Sequence, residues 1–302
     1  MGLLTADGRG RRYSRLRGAT EQLLRLAYAG GWPARVLTAQ PITAVHHRLA
    51  ILPPGCPPLR VAFASDLHIG PITPPSLLDD ALKQLAAWAP DVLLLGGDYV
   101  YLEATPAVCD TLRAFVAAVP APLKLAVLGN HDLWTWHPRL EATLAEAGAS
   151  VLVNAGRRLP APHDRVLIAG LDDPWTGAPA PARAFVDHRE GDVPIALVHA
   201  PDAVPLLGRW APALTICGHT HGGQIALPGG GMIVSPSPLS RTYPHGEFAA
   251  PWGGRVVVSR GVGMVEVPLR AFAPPDVRLL TLVSGEGLHG EGLRDALEVD
   301  RP

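Results

Sequence analysis

Five short groups of metal-capable residues follow one another along the chain. They are Asp66-Leu67-His68, Gly96-Gly97-Asp98, Gly129-Asn130-His131-Asp132, a lone His199, and Gly218-His219-Thr220-His221. All offer oxygen or nitrogen donors. In an extended or turning segment residues i and i+2 can point to one side, so Asp66 with His68, and His219 with His221, can each converge on a common centre. The glycines Gly96, Gly97, Gly129, Gly218, Gly222 and Gly223 open conformations closed to other residues and let backbone come close to a metal or a phosphate. A single tetrahedral zinc takes three or four ligands, whereas Asp66, His68, Asp98, Asn130, His199, His219 and His221 offer seven, with His131 in reserve. Such a set suits two ions about 3.5–4 Å apart with Asp98 as the bridge, able to hold both the attacking and the leaving oxygen of an in-line phosphoryl displacement.

Taken singly, these residues have ordinary structural uses. Asp66 or Asp98 can cap a helix after a strand, Gly218 to Gly223 can form a turn, and an isolated histidine is commonly a surface or satisfied core residue. Their common position directly after an apolar run makes those separate readings fail together, because open α/β sheets present ligands at that end of their strands. The runs Arg60–Ser65, Asp91–Leu95, Leu123–Leu128, Val151–Val153, Val166–Ala169, Ile195–Val198, Leu214–Cys217 and Val256–Ser259 read as strands. Helical periodicity over Ser76–Trp88, Pro106–Val119 and His137–Ala147 separates several of them, so the class is α/β.

The ordered set DLH, GGD, GNHD, a lone His after an apolar strand, and GHTH resembles the calcineurin-like metallophosphoesterase family over roughly Leu59 to Val283. GHTHGGQI and VSRGVG further resemble a bacterial subgroup that includes membrane-associated phosphodiesterases. The resemblance implies a four-layer α-β-β-α sandwich with two mixed sheets. It implies that Asp66, His68 and His221 bind one divalent ion, that Asn130, His199 and His219 bind the other, and that Asp98 bridges them. His131 matches the family's non-ligand histidine, expected to touch the scissile phosphate and act as general acid, and Asp132 is expected to orient its neighbours. Histidine and carboxylate donors suit manganese, iron or zinc. The implied reaction is hydrolysis of a phosphodiester or pyrophosphate by a hydroxide shared between the ions, with a lipid-linked pyrophosphate such as a UDP-2,3-diacylglucosamine as an alternative substrate. A noncatalytic metal-binding scaffold is the alternative of a different class.

Weaker signals lie nearby. Arg260, after the strand ending at Ser259, could fork onto a phosphate oxygen. Trp134 and Trp136 follow GNHD at the mouth of the site and could wall a lipid or aromatic leaving group. His137, His163, His188 and His245 have no motif context, and Cys217 reads as core.

Composition sets the limits. The chain has 302 residues, 48% hydrophobic and 18% charged, so it can bury a large core. A net charge of -1 offers little to a polyanion, which disfavours nucleic acid as partner. Three cysteines without a CxxC pair fit a reducing compartment, and no apolar stretch reaches the roughly 18 residues of a membrane span. The reading divides the chain into a basic and helical extension over 1–58, a phosphoesterase domain over 59–284 and a polar tail over 285–302. Arg9, Arg11, Arg12, Arg15 and Arg17 lead into the helical pattern around Leu23 to Val36. That segment, residues 9–36, is either a solvated tail with a packing helix or a peripheral contact with an anionic membrane. The expected location is therefore the cytoplasm, with the inner face of the membrane as the alternative.

Overall fold

The computed structural model describes residues 40–229 and 231–285. Two six-stranded sheets face each other. The first contains β1 (Thr43–Leu52), β2 (Leu59–Ala64), β3 (Val92–Leu95), β4 (Leu123–Ala126), β5 (Ala149–Val151) and β12 (Asp276–Ser284), in the order β1-β12-β2-β3-β4-β5. The second contains β6 (Ala155–Arg158), β7 (Val166–Gly170), β8 (Val193–Leu197), β9 (Leu214–Cys217), β10 (Gly246–Ala249) and β11 (Arg255–Val258), in the order β10-β11-β9-β8-β7-β6. Both sheets are mixed. β2 to β5 run parallel while β12 is antiparallel to β2, and β7, β8, β9 and β11 run parallel between antiparallel edges.

Strand alternation divides the core into three apolar layers. Leu59, Val61 and Phe63 of β2 and Leu94 of β3 meet Ile168, Ile195, Ile216 and Val257 between the sheets. Ala62, Ala64, Leu93 and Leu95 turn outward beneath the helices Pro75–Trp88, Pro106–Ala118 and His137–Glu146. On the far side Leu167, Ala169, Cys217, Val256 and Val258 are covered by the short helix Pro181–Ala184 and the 3-10 turns Pro201–Leu206 and Gly208–Trp210. Strands buried on both faces must read as continuous apolar runs, which is why the sequence exposes them so clearly. The layers are those of the expected four-layer sandwich, its second helical layer built from short pieces.

The first sheet takes in residues ahead of 59. β1, within the stretch read as an N-terminal extension, pairs in parallel with β12 from Thr43↔Asp276 to Leu52↔Ser284. It buries Leu49 and Leu52 in the layer between the sheets. The arginine run, the helical pattern over 23–36 and the tail from 286 lie outside the described residues. Among the described residues no helix is long and apolar enough to cross a membrane.

Candidate metal centre

All five groups sit at the carboxyl ends of their strands. Asp66 and His68 follow β2, Asp98 follows β3, and Asn130 to Asp132 open the short helix Asn130–Trp134 after β4. His199 follows β8, and His219 and His221 follow β9. The two sheets bring these edges together. The amide of His219, from the second sheet, donates to both Asp66 oxygens at 3.1 Å. Glycine is required where the edges touch: a Cβ on Gly129 would strike the Asp98 carboxylate, and one on Gly218 would strike those of Asp66 and the Ser65 hydroxyl.

Three groups of donors lie within 4.8 Å of one another: Asp66, His68 and His221; His68, Asp98 and His131; and Asp98, His199 and His219. Asn130 joins the third through its Oδ1, 3.1 Å from His199 Nε2. All are buried. The rings are aimed from behind. His199 turns Nδ1 to the Gly96 carbonyl at 2.8 Å, and His131 turns Nδ1 to the Tyr101 carbonyl at 2.8 Å, so each presents Nε2 forward.

Ring nitrogens then meet nitrogen. His68 Nε2 stands 3.1 Å from His221 Nε2, and His219 Nδ1 stands 3.2 Å from His199 Nε2. Nitrogens that share one ion at about 2.0–2.1 Å stand about 3 Å apart, so these spacings fit a cation between the rings. Burial holds His68 and His221 well below the usual histidine range and His219 down at about 3, with His131 adding to the depression at His68, His68 and Arg270 at His221, and His199 at His219. Their lone pairs are therefore open to a metal. Burial alone would neutralise His199, but Asp98 first and Asp66 next hold it well above that range. Asp98 is the counterpart: against its burial, His199 and His131 keep it ionised. Burial and the nearby Asp98 raise Asp66 to about 6 although His199 opposes the rise.

Asp132 lies behind the cluster. Its Oδ2 accepts from the amides of Asp98 at 2.7 Å and Gly129 at 3.0 Å, and its Oδ1 from Tyr99 at 2.9 Å. It thus fixes the loop that presents Asp98. Arg260 is beside the cluster, its stem against Gly222. Its guanidinium, however, donates to His245 Nε2 at 2.6 Å and lies 3.9 Å from Asp276. Trp134 packs on His131 with ring centroids 4.7 Å apart, while Trp136 is 52% exposed.

Two residues escaped the sequence reading. Arg270 is buried and donates from Nη1 to the His221 and Ala273 carbonyls and from Nη2 to that of Arg260, with Nη2 also 3.1 Å from His221 Nδ1. It knots the loop of His221 to the loop after β11, and nothing in Pro268-Leu269-Arg270-Ala271 announces it. Trp175, after β7, packs on His219 at 4.8 Å. The run Gly170-Leu171-Asp172-Asp173-Pro174, polar after an apolar strand like the other groups, was the available signal.

The family model for calcineurin-like phosphoesterase matches residues 59–223. Phosphodiesterase YaeI of Escherichia coli K12 is 33% identical over 79% of this chain and 87% of its own length. YkuE of Bacillus subtilis, an uncharacterized metallophosphoesterase, is 29% identical over 86% and 92%. The UDP-2,3-diacylglucosamine pyrophosphatase LpxG of Chlamydia trachomatis is 26% identical over 74% and 83%. With its donors gathered where two sheets meet, and with relatives matched along most of their length, the chain belongs to the calcineurin-like phosphoesterase family of metal-dependent phosphoric ester hydrolases.

Proposed function

We propose that this chain hydrolyses a phosphodiester or pyrophosphate bond with two divalent ions held between its sheets. Asp66, His68 and His221 would hold one ion and Asn130, His199 and His219 the other, with Asp98 placed to serve both. The observation that carries this reading is the position of Asp98 Oδ2, 3.3 Å from His199 Nε2 and 3.7 Å from His68 Nε2. One carboxylate oxygen faces a histidine of each group. Oxygen and imidazole donors suit manganese, iron or zinc.

When bound, such ions supply Lewis acidity, making water a nucleophile near neutral pH and drawing charge from the phosphoryl oxygens. The chain does the rest. With its Nδ1–H donated to the Tyr101 carbonyl, a doubly protonated His131 would deliver the Nε2 proton to the departing oxygen and be left as the neutral Nδ1–H imidazole. Asp132 keeps the Asp98 loop fixed through its amide bonds and is a positioning residue. The names of YaeI and LpxG favour diesters and pyrophosphates over monoesters, and LpxG raises a lipid-linked pyrophosphate as one such substrate. Contact of residues 9–36 with an anionic membrane face belongs to that second reading. Cys56, Cys109 and Cys217 are unpaired, in line with a cytoplasmic location.

The test compares bis(p-nitrophenyl) phosphate with p-nitrophenyl phosphate on the manganese-reconstituted protein, with Asp98→Ala and His131→Ala in parallel. The expected result is faster diester turnover that falls by at least about 100-fold in both variants. Turnover unaffected by Asp98→Ala, or a His131→Ala variant as active as the parent, would sink the reading and restore a noncatalytic scaffold.

A further inference from the structure

We infer that Trp175, together with Trp134, forms an aromatic slot that selects esters whose non-departing group carries a planar ring system, such as a nucleobase. The inference rests on the phosphoesterase reading above and concerns the group next to the reacting phosphate. The three least enclosed histidines of the cluster are His131, His219 and His221, at 6%, 7% and 5% exposure, against 0% for His68 and His199. The cluster therefore opens to solvent along them. An indole lies against two of the three: Trp134, from the first sheet, at 4.7 Å from His131, and Trp175, from the second, at 4.8 Å from His219. Each sheet thus contributes one indole to the rim of the opening.

A lone exposed tryptophan needs no explanation. Trp175 differs because hydrogen bonds pin its loop while the residue stays 38% exposed. Its amide donates to Asp173 Oδ2 at 3.0 Å, and Thr176 donates to the same oxygen from its amide at 2.7 Å and its hydroxyl at 2.8 Å. The Ala178 amide donates to Asp172 Oδ2 at 2.9 Å, and Asn154 Oδ1 accepts from the amides of Asp172 and Ala180. An indole on a backbone pinned this way and packed on His219 loses less freedom when a flat partner stacks on it, so its apolar face favours binding with small entropic loss. Its placement beside His219 puts that partner next to the donors. An aromatic face rewards a planar π-system more than a small alkyl group, by about tenfold or more in affinity.

The test uses two diesters with one leaving group, p-nitrophenyl thymidine 5′-phosphate and methyl p-nitrophenyl phosphate, on the full manganese-reconstituted chain. The parent is expected to favour the thymidine ester by at least about tenfold in kcat/KM. That ratio should fall towards one, through KM, in Trp175→Leu and Trp134→Leu, and be retained in the Phe variants. A ratio near one in the parent, or an equal fall for both esters in Trp175→Leu, overturns the inference. Fluorescence titration with thymidine 5′-monophosphate reads the slot without turnover, and the half-saturating concentration is expected to rise by about tenfold in Trp175→Leu. If the parent hydrolyses neither ester, the phosphoesterase reading fails, while this titration still decides the slot. Unchanged titration in Trp175→Leu would remove it.

Discussion

Asp66, His68, Asp98, His219 and His221 have φ of 53°, 42°, 54°, 68° and 51°. Left-handed backbone at a residue other than glycine is uncommon and persists where surroundings over-determine it. Here they do: the Asp66 amide donates to the Gly97 carbonyl at 2.8 Å and the His68 amide to that of Asp98 at 3.0 Å. Residue type and order made these positions legible in the sequence, but the sign of φ and the supporting bonds belong to the assembled loops. Arg270 was illegible for the same reason, since apart from the His221 ring its partners are carbonyls and carry no residue signature. Replacing it by Met should leave the His221, Ala273 and Arg260 carbonyls short of a donor and cost about 3 kcal/mol in urea unfolding. Arg270→Lys should recover less than half, because an ammonium cannot span the same fork; full recovery would refute the tie between loops. His245 makes a second prediction. Burial, with Arg260 beside it, lowers its pKa to about 4, and its Nε2 accepts from Arg260. Between about 6.5 and about 4 the unfolded chain binds a proton at this residue that the fold does not, so its contribution is present above pH 6.5 and is lost as pH falls. The stability gap between parent and His245→Gln should narrow over that window by about 1–2 kcal/mol, after allowance for partial exposure. A gap constant from pH 7 to pH 4 would remove His245 from this role.

The strands that deliver chemistry were the easiest elements to read, because a strand covered on both faces has no polar side to blur the run. β1, β6, β10 and β12 were not read. β6 and β10 are edge strands of Ala-Gly-Arg-Arg and Gly-Glu-Phe-Ala, too short and too polar for a pattern. β12 contains Asp276 and Arg278, buried yet paired to each other at 2.8 Å, an ion pair invisible to hydropathy. β1 does alternate, but His46-His47-Arg48 interrupts it and a basic stretch precedes it. Its role can be tested at Leu49, 6% exposed and packed between the sheets. If β1 is an integral strand, Leu49→Ala should destabilise by about 2–3 kcal/mol, the cost of a core truncation at a sheet edge. A loosely attached extension would give under about 0.5 kcal/mol. Chemical denaturation with an unchanged m-value distinguishes the two.

At the scale of the molecule, each proposed ion draws on both sheets. Asp66 and His68 come from the first and His221 from the second, while Asn130 comes from the first and His199 and His219 from the second. The layer between the sheets is apolar up to this edge, where buried donors face one another. Bound ions would therefore act as clips across the sandwich, and their binding free energy would appear as folding stability. With free metal at about 1,000 times its dissociation constant, one site adds about 4 kcal/mol. For a chain of this size each kcal/mol raises Tm by about 2–4 °C, so chelation should lower Tm by at least about 8 °C and re-addition should restore it. Asn130→Ala should retain part of that shift, since it reduces one donor set and leaves the other whole. Asp98→Asn should lose most of it, because Asp98 faces both sets. Equal residual shifts in the two variants would mean that Asp98 serves one ion alone, and a parent shift under about 2 °C would mean that the sheets hold together without metal.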